Sequence, residues 1–116
     1  MGREPRGTEA LSVVSVYAVF ADAEEAERIG RIAVEQRLAA CINILGPIRS
    51  IYRWQGTIGT AEETAAIFKT TNDHADLLIA RIAGLHSYEL PCVVAWPVDK
   101  AAIPYANWVE DSVSAG

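Results

Sequence analysis

Long charge-free apolar runs are absent from this 116-residue chain. Nothing approaches the ~18 residues that a membrane-spanning helix needs, so no span is expected. Basic blocks are absent too. Ten Lys and Arg stand against fifteen Asp and Glu, for a net charge of −5. Such a chain repels a phosphate backbone, which argues against nucleic acid as the main partner. Cysteine and histidine are scarce, two of each, with no CxxC and no HxxxH. A closed structural metal centre within one chain has too few ligands to form. Cys41 and Cys92 both fall in apolar, strand-like stretches. They read as buried thiols of a reducing compartment rather than as a disulfide. No Ser/His/Asp or Cys/His spacing points to nucleophilic catalysis. Residues 1–10 are polar and lack the apolar middle of a signal peptide. They are expected to form a disordered tail ahead of a single domain over 11–116.

What is present is a chain that is 51% apolar, enough for a core without disulfides or metal. Residues 13–20 are rich in Val, with Tyr and Phe, and read as a buried strand. Asp22 followed by Glu25 is the spacing of a capping box. Over 23–38, Ala26, Ile29, Ile32 and Ala33 share one face of an amphipathic helix. A strand over 40–45 follows with no Gly or Pro between. Gly46-Pro47 cannot continue a regular ladder, so a bulge or bend is expected before the strand resumes at 48–54. Gln55-Gly56-Thr57 is a turn, and 58–71 the returning arm. Asn72 is expected to cap a second helix, whose stripe is Ala75, Leu78, Ile79, Ile82 and Leu85. A fourth strand over 90–96 and a short terminal helix from Pro104 complete the chain. The order β-α-β-β-α-β is that of an α+β, ferredoxin-like sandwich.

The hairpin is too long for such a domain. Its first arm of about 15 residues would reach roughly 45 Å, whereas a compact chain of this length is on the order of 35 Å across. Its far end carries Ile48, Ile51, Tyr52, Trp54 and Ile58. A two-stranded ribbon is marginal alone in water. It must either fold back at Gly46-Pro47 or be covered by other copies of the chain. Copies joined edge to edge close most simply as a ring.

At these residues the chain resembles the CutA family of divalent-cation tolerance proteins. The resemblance is carried by Glu35 through Asn43, Ser50-Ile51-Tyr52-Arg53-Trp54, Glu63 through Thr70, His86-Ser87-Tyr88-Glu89-Leu90-Pro91 and Tyr105-Ala106-Asn107-Trp108. It implies a ferredoxin-like subunit in a cyclic homotrimer, related in architecture to the PII signalling proteins, which bind small effectors between subunits. It also implies a cytoplasmic, non-enzymatic protein linked to tolerance of copper and other divalent metals. Some members of the family carry a Cys at the end of the first strand and paired histidines before the Tyr. Here those positions are Ala18 and Leu85-His86, a departure from the pattern of a tight copper site.

The candidate site residues fall into two sets. His86, expected in an exposed loop, with Glu89 three residues on and Cys41 at a strand start, could bind a divalent cation such as copper weakly. Tyr52, Trp54, Glu63, Lys69 and Tyr88 form the second set. They either line a cleft for an anionic or aromatic small molecule, or form a trimer interface holding a Lys69–Glu63 pair. Tyr105 and Trp108 share a face of the terminal helix and are expected to anchor it or reach the cleft. His74 is expected to be exposed. As the alternative, a trimeric scaffold anchoring other proteins also fits the sequence. An acylphosphatase does not, because the first strand–helix turn, Phe20-Ala21-Asp22-Ala23-Glu24-Glu25, has no Gly or Arg for a phosphate.

Overall fold

The computed structural model describes residues 12–114. The expected N-terminal tail lies outside them. The elements follow in order as β1 (Val13–Phe20), α1 (Ala23–Glu35), β2 (Cys41–Trp54), β3 (Thr57–Thr71), α2 (Asn72–Leu85), β4 (Val93–Pro97) and α3 (Ile103–Val113). The strands form one antiparallel sheet in the order β2-β3-β1-β4, the ferredoxin-like arrangement. The expected fold is found.

Helices α1 and α2 cover one face of this sheet. Val14, Val16, Ala18 and Phe20 of β1 point into that layer with Phe68 of β3, against Ala26, Ile29 and Ala33 of α1 and Leu78 and Ile82 of α2. The alternation is that of a strand, and the helical partners recur at helical spacing. Gly30 lets α1 lie close to the sheet. A Cβ there would stand 2.6 Å from Ile42 Cδ1. Helix α3 takes the opposite face, where Ala106, Val109 and Val113 bury Val13 and Ala40. It covers only that end.

The end of α1 explains how a strand follows with no glycine. Leu38 N–H bonds Ala33 O at 3.0 Å and Arg37 N–H bonds Val34 O at 3.1 Å. This is a Schellman stop with Arg37 in the left-handed region, φ 59°. The Arg37 guanidinium donates to the Ser112 carbonyl near the C-terminus of α3, at 3.1 Å, so the residue that ends one helix also caps another. The cap of α2 lies one residue earlier than expected. Thr71 is the N-cap and Asn72 the first helical residue. Thr71 Oγ1 bonds His74 Nδ1 at 2.9 Å, which leaves His74 half-buried rather than free on the surface.

The bulge falls where Gly46-Pro47 placed it. The β2–β3 register shifts between Ile44 and Gly46, and Gly46 has φ +111°, which glycine alone adopts without strain. Before the shift, Ile42 and Ile44 pair with Phe68 and Ala66 on the helix side. After it, Ile48, Ser50, Tyr52 and Trp54 pair with odd-numbered residues of β3 on the open side. One extra residue therefore turns the aromatic end of β2 onto the face the helices do not cover. The hairpin does not fold back. The molecule measures 56 × 25 × 21 Å with a radius of gyration of 15.6 Å, against about 13 Å for a compact chain of this length.

Replacing Gly30 with Val should push α1 off the sheet and lower stability by about 2 kcal/mol. A urea unfolding curve reads this as a lower midpoint at unchanged slope.

Candidate functional site

The open face carries a groove of about 650 Å³. Its floor is Tyr17 and Val19 of β1, its long wall Ile48, Tyr52 and Trp54 of β2, and its far side Tyr88 to Cys92 of the segment after α2. Tyr52 lies across its cross-strand neighbour Gly59, where a Cβ would be 3.0 Å from the ring. That missing Cβ lets the ring settle onto the strand.

The segment after α2 is held by a chain of long-range contacts. Glu25 is the first of them. Asp22 Oδ1 accepts from Glu25 N–H at 2.8 Å, as a capping box requires. Glu25 Oε1 reaches back to Ala21 N–H at 2.9 Å, and Oε2 accepts from Ser87 N–H at 2.8 Å. Burial alone would raise the Glu25 pKa. The Ala21 N–H, then the side chain and N–H of Ser87, outweigh it and hold the carboxyl below its usual value.

His86 comes next. Its side chain is fully buried, stacked on Phe20 at 5.2 Å and against Tyr88 at 4.8 Å. Tyr88 N–H donates to Nδ1 at 3.0 Å. Nδ1 is therefore the acceptor, and Nε2–H donates to the Val19 carbonyl at 2.7 Å. With no proton on Nδ1, the 3.9 Å approach of Glu25 Oε2 is not an ion pair. Both nitrogens are engaged, and neither offers a metal a free lone pair. The exposed position expected for His86 is not found, because Phe20 and Val19 draw the ring into the helix layer.

His86 delivers Tyr88 to the other face. Tyr88 O–H donates to Glu63 Oε2 at 2.7 Å. Burial, then the Glu63 carboxylate, pushes the phenol up to about 12, so it remains a donor at any physiological pH. Glu63 thus takes Tyr88 as its partner and not Lys69, from which it stands six residues along β3, roughly 20 Å. Lys69 pairs in register with Cys41 and Ser15 near the other end of the sheet and does not line the groove.

The remaining candidates separate likewise. Tyr52, Trp54, Glu63, Tyr88 and Glu89 gather at the groove. Cys41 does not. It is half-buried, with Sγ 3.7 Å from Tyr105 Oη, on the face opposite His86. Burial first and Cys41 second push the Tyr105 phenol up to about 12. Tyr105 and Trp108 touch each other at 5.6 Å yet stay exposed. Ala106, Val109 and Val113 anchor α3 in their place. Cys92, expected to be buried, is exposed at the groove. Burial of its thiol, then Glu63, raises its pKa. Among the described residues no three metal-ligating side chains converge. His86, Glu89 and Cys41 are thus dispersed over both faces. Glu25 and Gly59 carried no site signal in the sequence beyond the capping-box spacing.

Glu25→Gln should cost about 2 kcal/mol at neutral pH, since one amide oxygen cannot serve two backbone donors. The Glu25 pKa is depressed by folding, so its contribution is complete above the unfolded value of about 4.3 and is lost as pH falls below it. The variant's stability should therefore fall less steeply on acidification, as denaturant midpoints across that range will read.

A family profile described as CutA1 divalent ion tolerance protein matches residues 14–112. The divalent-cation tolerance protein CutA of Thermotoga maritima is 41% identical over 87% of this chain and 99% of its own length. The crystal structure of CutA from Xylella fastidiosa superimposes with a TM-score of 0.87 at 35% identity, over 89% of this chain and 99% of that one. CutA from Archaeoglobus fulgidus, described as a periplasmic divalent cation tolerance protein, gives a TM-score of 0.85 at 34% identity over 88% and 99%. That relative's periplasmic setting runs against a cytoplasmic location carried over from the resemblance. In this chain no helix among the described residues is long and apolar enough to cross a membrane. With the profile spanning β1 to α3, and the overall fold shared with these structures, the chain belongs to the CutA1 divalent ion tolerance family.

Proposed function

We propose that the chain acts as a cyclic homotrimer of PII-like architecture in the response to divalent metals, copper included. It does so without catalysing a reaction, by binding a metal ion or small effector in clefts between copies. The observation that carries this reading is the uncovered sheet face. Tyr52, Trp54, Val94 and Trp96 lie on it exposed, and beyond the helices Ile51 and Ile58 are 72% and 61% exposed on the other side of the finger. Apolar surface of this extent on both sides of a ribbon calls for protein cover. The outer edges of β2 and β4 are unpaired among the described residues and offer backbone donors and acceptors for strand addition. A groove bounded by the finger then lies at the boundary between copies; Glu63, Glu89 and Cys92 line it without converging, so a metal ion held there would need donors from a neighbouring copy as well.

Light scattering should give three times the chain mass of 12.6 kDa at micromolar concentration. Ile51→Lys with Trp54→Lys should reduce it towards one. A wild-type monomer would overturn the reading. In calorimetric titration with copper, His86→Ala at intact trimer mass should bind as the wild type does, because its ring nitrogens are already engaged. Loss of the copper heat in that variant would assign the metal to His86 instead.

A further inference from the structure

The groove's chemistry selects the sign of its ligand. Lys69 would have favoured an anion, but it lies outside the groove. The charged residues at the groove are Glu63, Glu89 and Arg53. Arg53 reaches the groove from the strand row that faces the helix side, so two carboxylates stand there against one guanidinium. Glu63 is half-buried and gives only Oε2 to Tyr88. Its Oε1 has no partner among the described residues. Around it stand the rings of Tyr52, Trp54 and Tyr88, with Tyr17 on the floor. Tyr88 and Cys92 keep their protons at neutral pH, so they add no charge of their own. A divalent metal asks for three or more converging donor atoms, and the described residues bring no such group together. Aromatic faces with one carboxylate suit a different cation, diffuse and partly apolar.

We infer that the groove takes an organic cation of the alkylated or quaternary ammonium class, with its charge against Glu63 Oε1 and its alkyl groups against the rings of Tyr52, Trp54 and Tyr88. The inference rests on the groove being a ligand site, as proposed above, and narrows the effector to one chemical class. All of these groups come from a single chain. A neighbouring copy would serve to close the groove and keep water from the carboxylate.

The test is calorimetric titration of the full chain with choline and with 3,3-dimethylbutan-1-ol, which has the same shape without the charge. Mass is measured on the same sample. Choline should bind at least about tenfold more tightly than the alcohol, the value expected of a cation on aromatic faces beside a carboxylate. Glu63→Gln should abolish that difference at unchanged mass and thermal midpoint, because Tyr88 can still donate to the amide oxygen. Tyr52→Leu should weaken choline and spare the fold, giving a second reading independent of Glu63. Equal affinity for both probes would make the groove merely apolar and overturn the inference. So would a preference for acetate. Failure of an intact trimer to bind either probe would overturn it while leaving the assembly standing. A monomeric sample would count against the assembly, and the choline-to-alcohol ratio would still decide the ligand class.

Discussion

A four-stranded sheet has two faces, and this chain has helices enough for one and a fraction of the other. Helices α1 and α2 close the first face around Phe20 and Phe68, short of the outer half of the hairpin. Helix α3 closes only the end near Val13 and Ala40. The rest of that face, and both sides of the hairpin beyond the helices, stay open. Burial of apolar surface contributes about 25 cal/mol per Å². A protein that leaves several large aromatic and aliphatic groups in water forgoes a share comparable with its net stability of roughly 5–15 kcal/mol. The proposed assembly and its cleft both rest on this shortage of cover.

The bulge at Gly46 gives that open face an aromatic groove. Without the extra residue, Tyr52 and Trp54 would point to the helix side, and Ile51 and Arg53 to the open face. With it, two rings face the same groove as Glu63 and Tyr88. The second device is the anchor behind Tyr88. Glu25 fixes Ser87, the Val19 carbonyl fixes His86, and His86 receives the Tyr88 amide. The phenol is thus presented across the end of the sheet to a carboxylate on the other face. Histidine here is a positioning residue, and its apparent suitability as a metal ligand is consumed by that task.

Much of the fold was legible in the sequence because its signals are local. The stripes of α1 and α2, the Asp22–Glu25 spacing and the Gly46-Pro47 interruption each act within a few residues. The helix stop at Arg37 was not legible. It depends on a hydrogen bond from its guanidinium to Ser112, 75 residues away, which offsets a backbone conformation normally left to glycine. The site was legible in membership more than in pairing. Tyr52 and Trp54 were placed on one face by parity alone, and Glu63 and Tyr88 joined them. That Glu63 meets Tyr88 rather than Lys69 follows from strand geometry, since six residues along a strand cannot close a salt bridge. The burial of His86 and the exposure of Cys92 depend on how the segment after α2 crosses the sheet edge, which residue type does not reveal.

The most direct measurement of the central claim is amide hydrogen exchange along the outer half of the hairpin, at micromolar chain concentration. If copies of the chain cover the finger, amides between residues 48 and 60 exchange slowly, as in a sheet interior, and lose that protection on dilution into dissociating conditions. Fast exchange throughout that stretch, at a concentration where β1 is fully protected, would contradict the account.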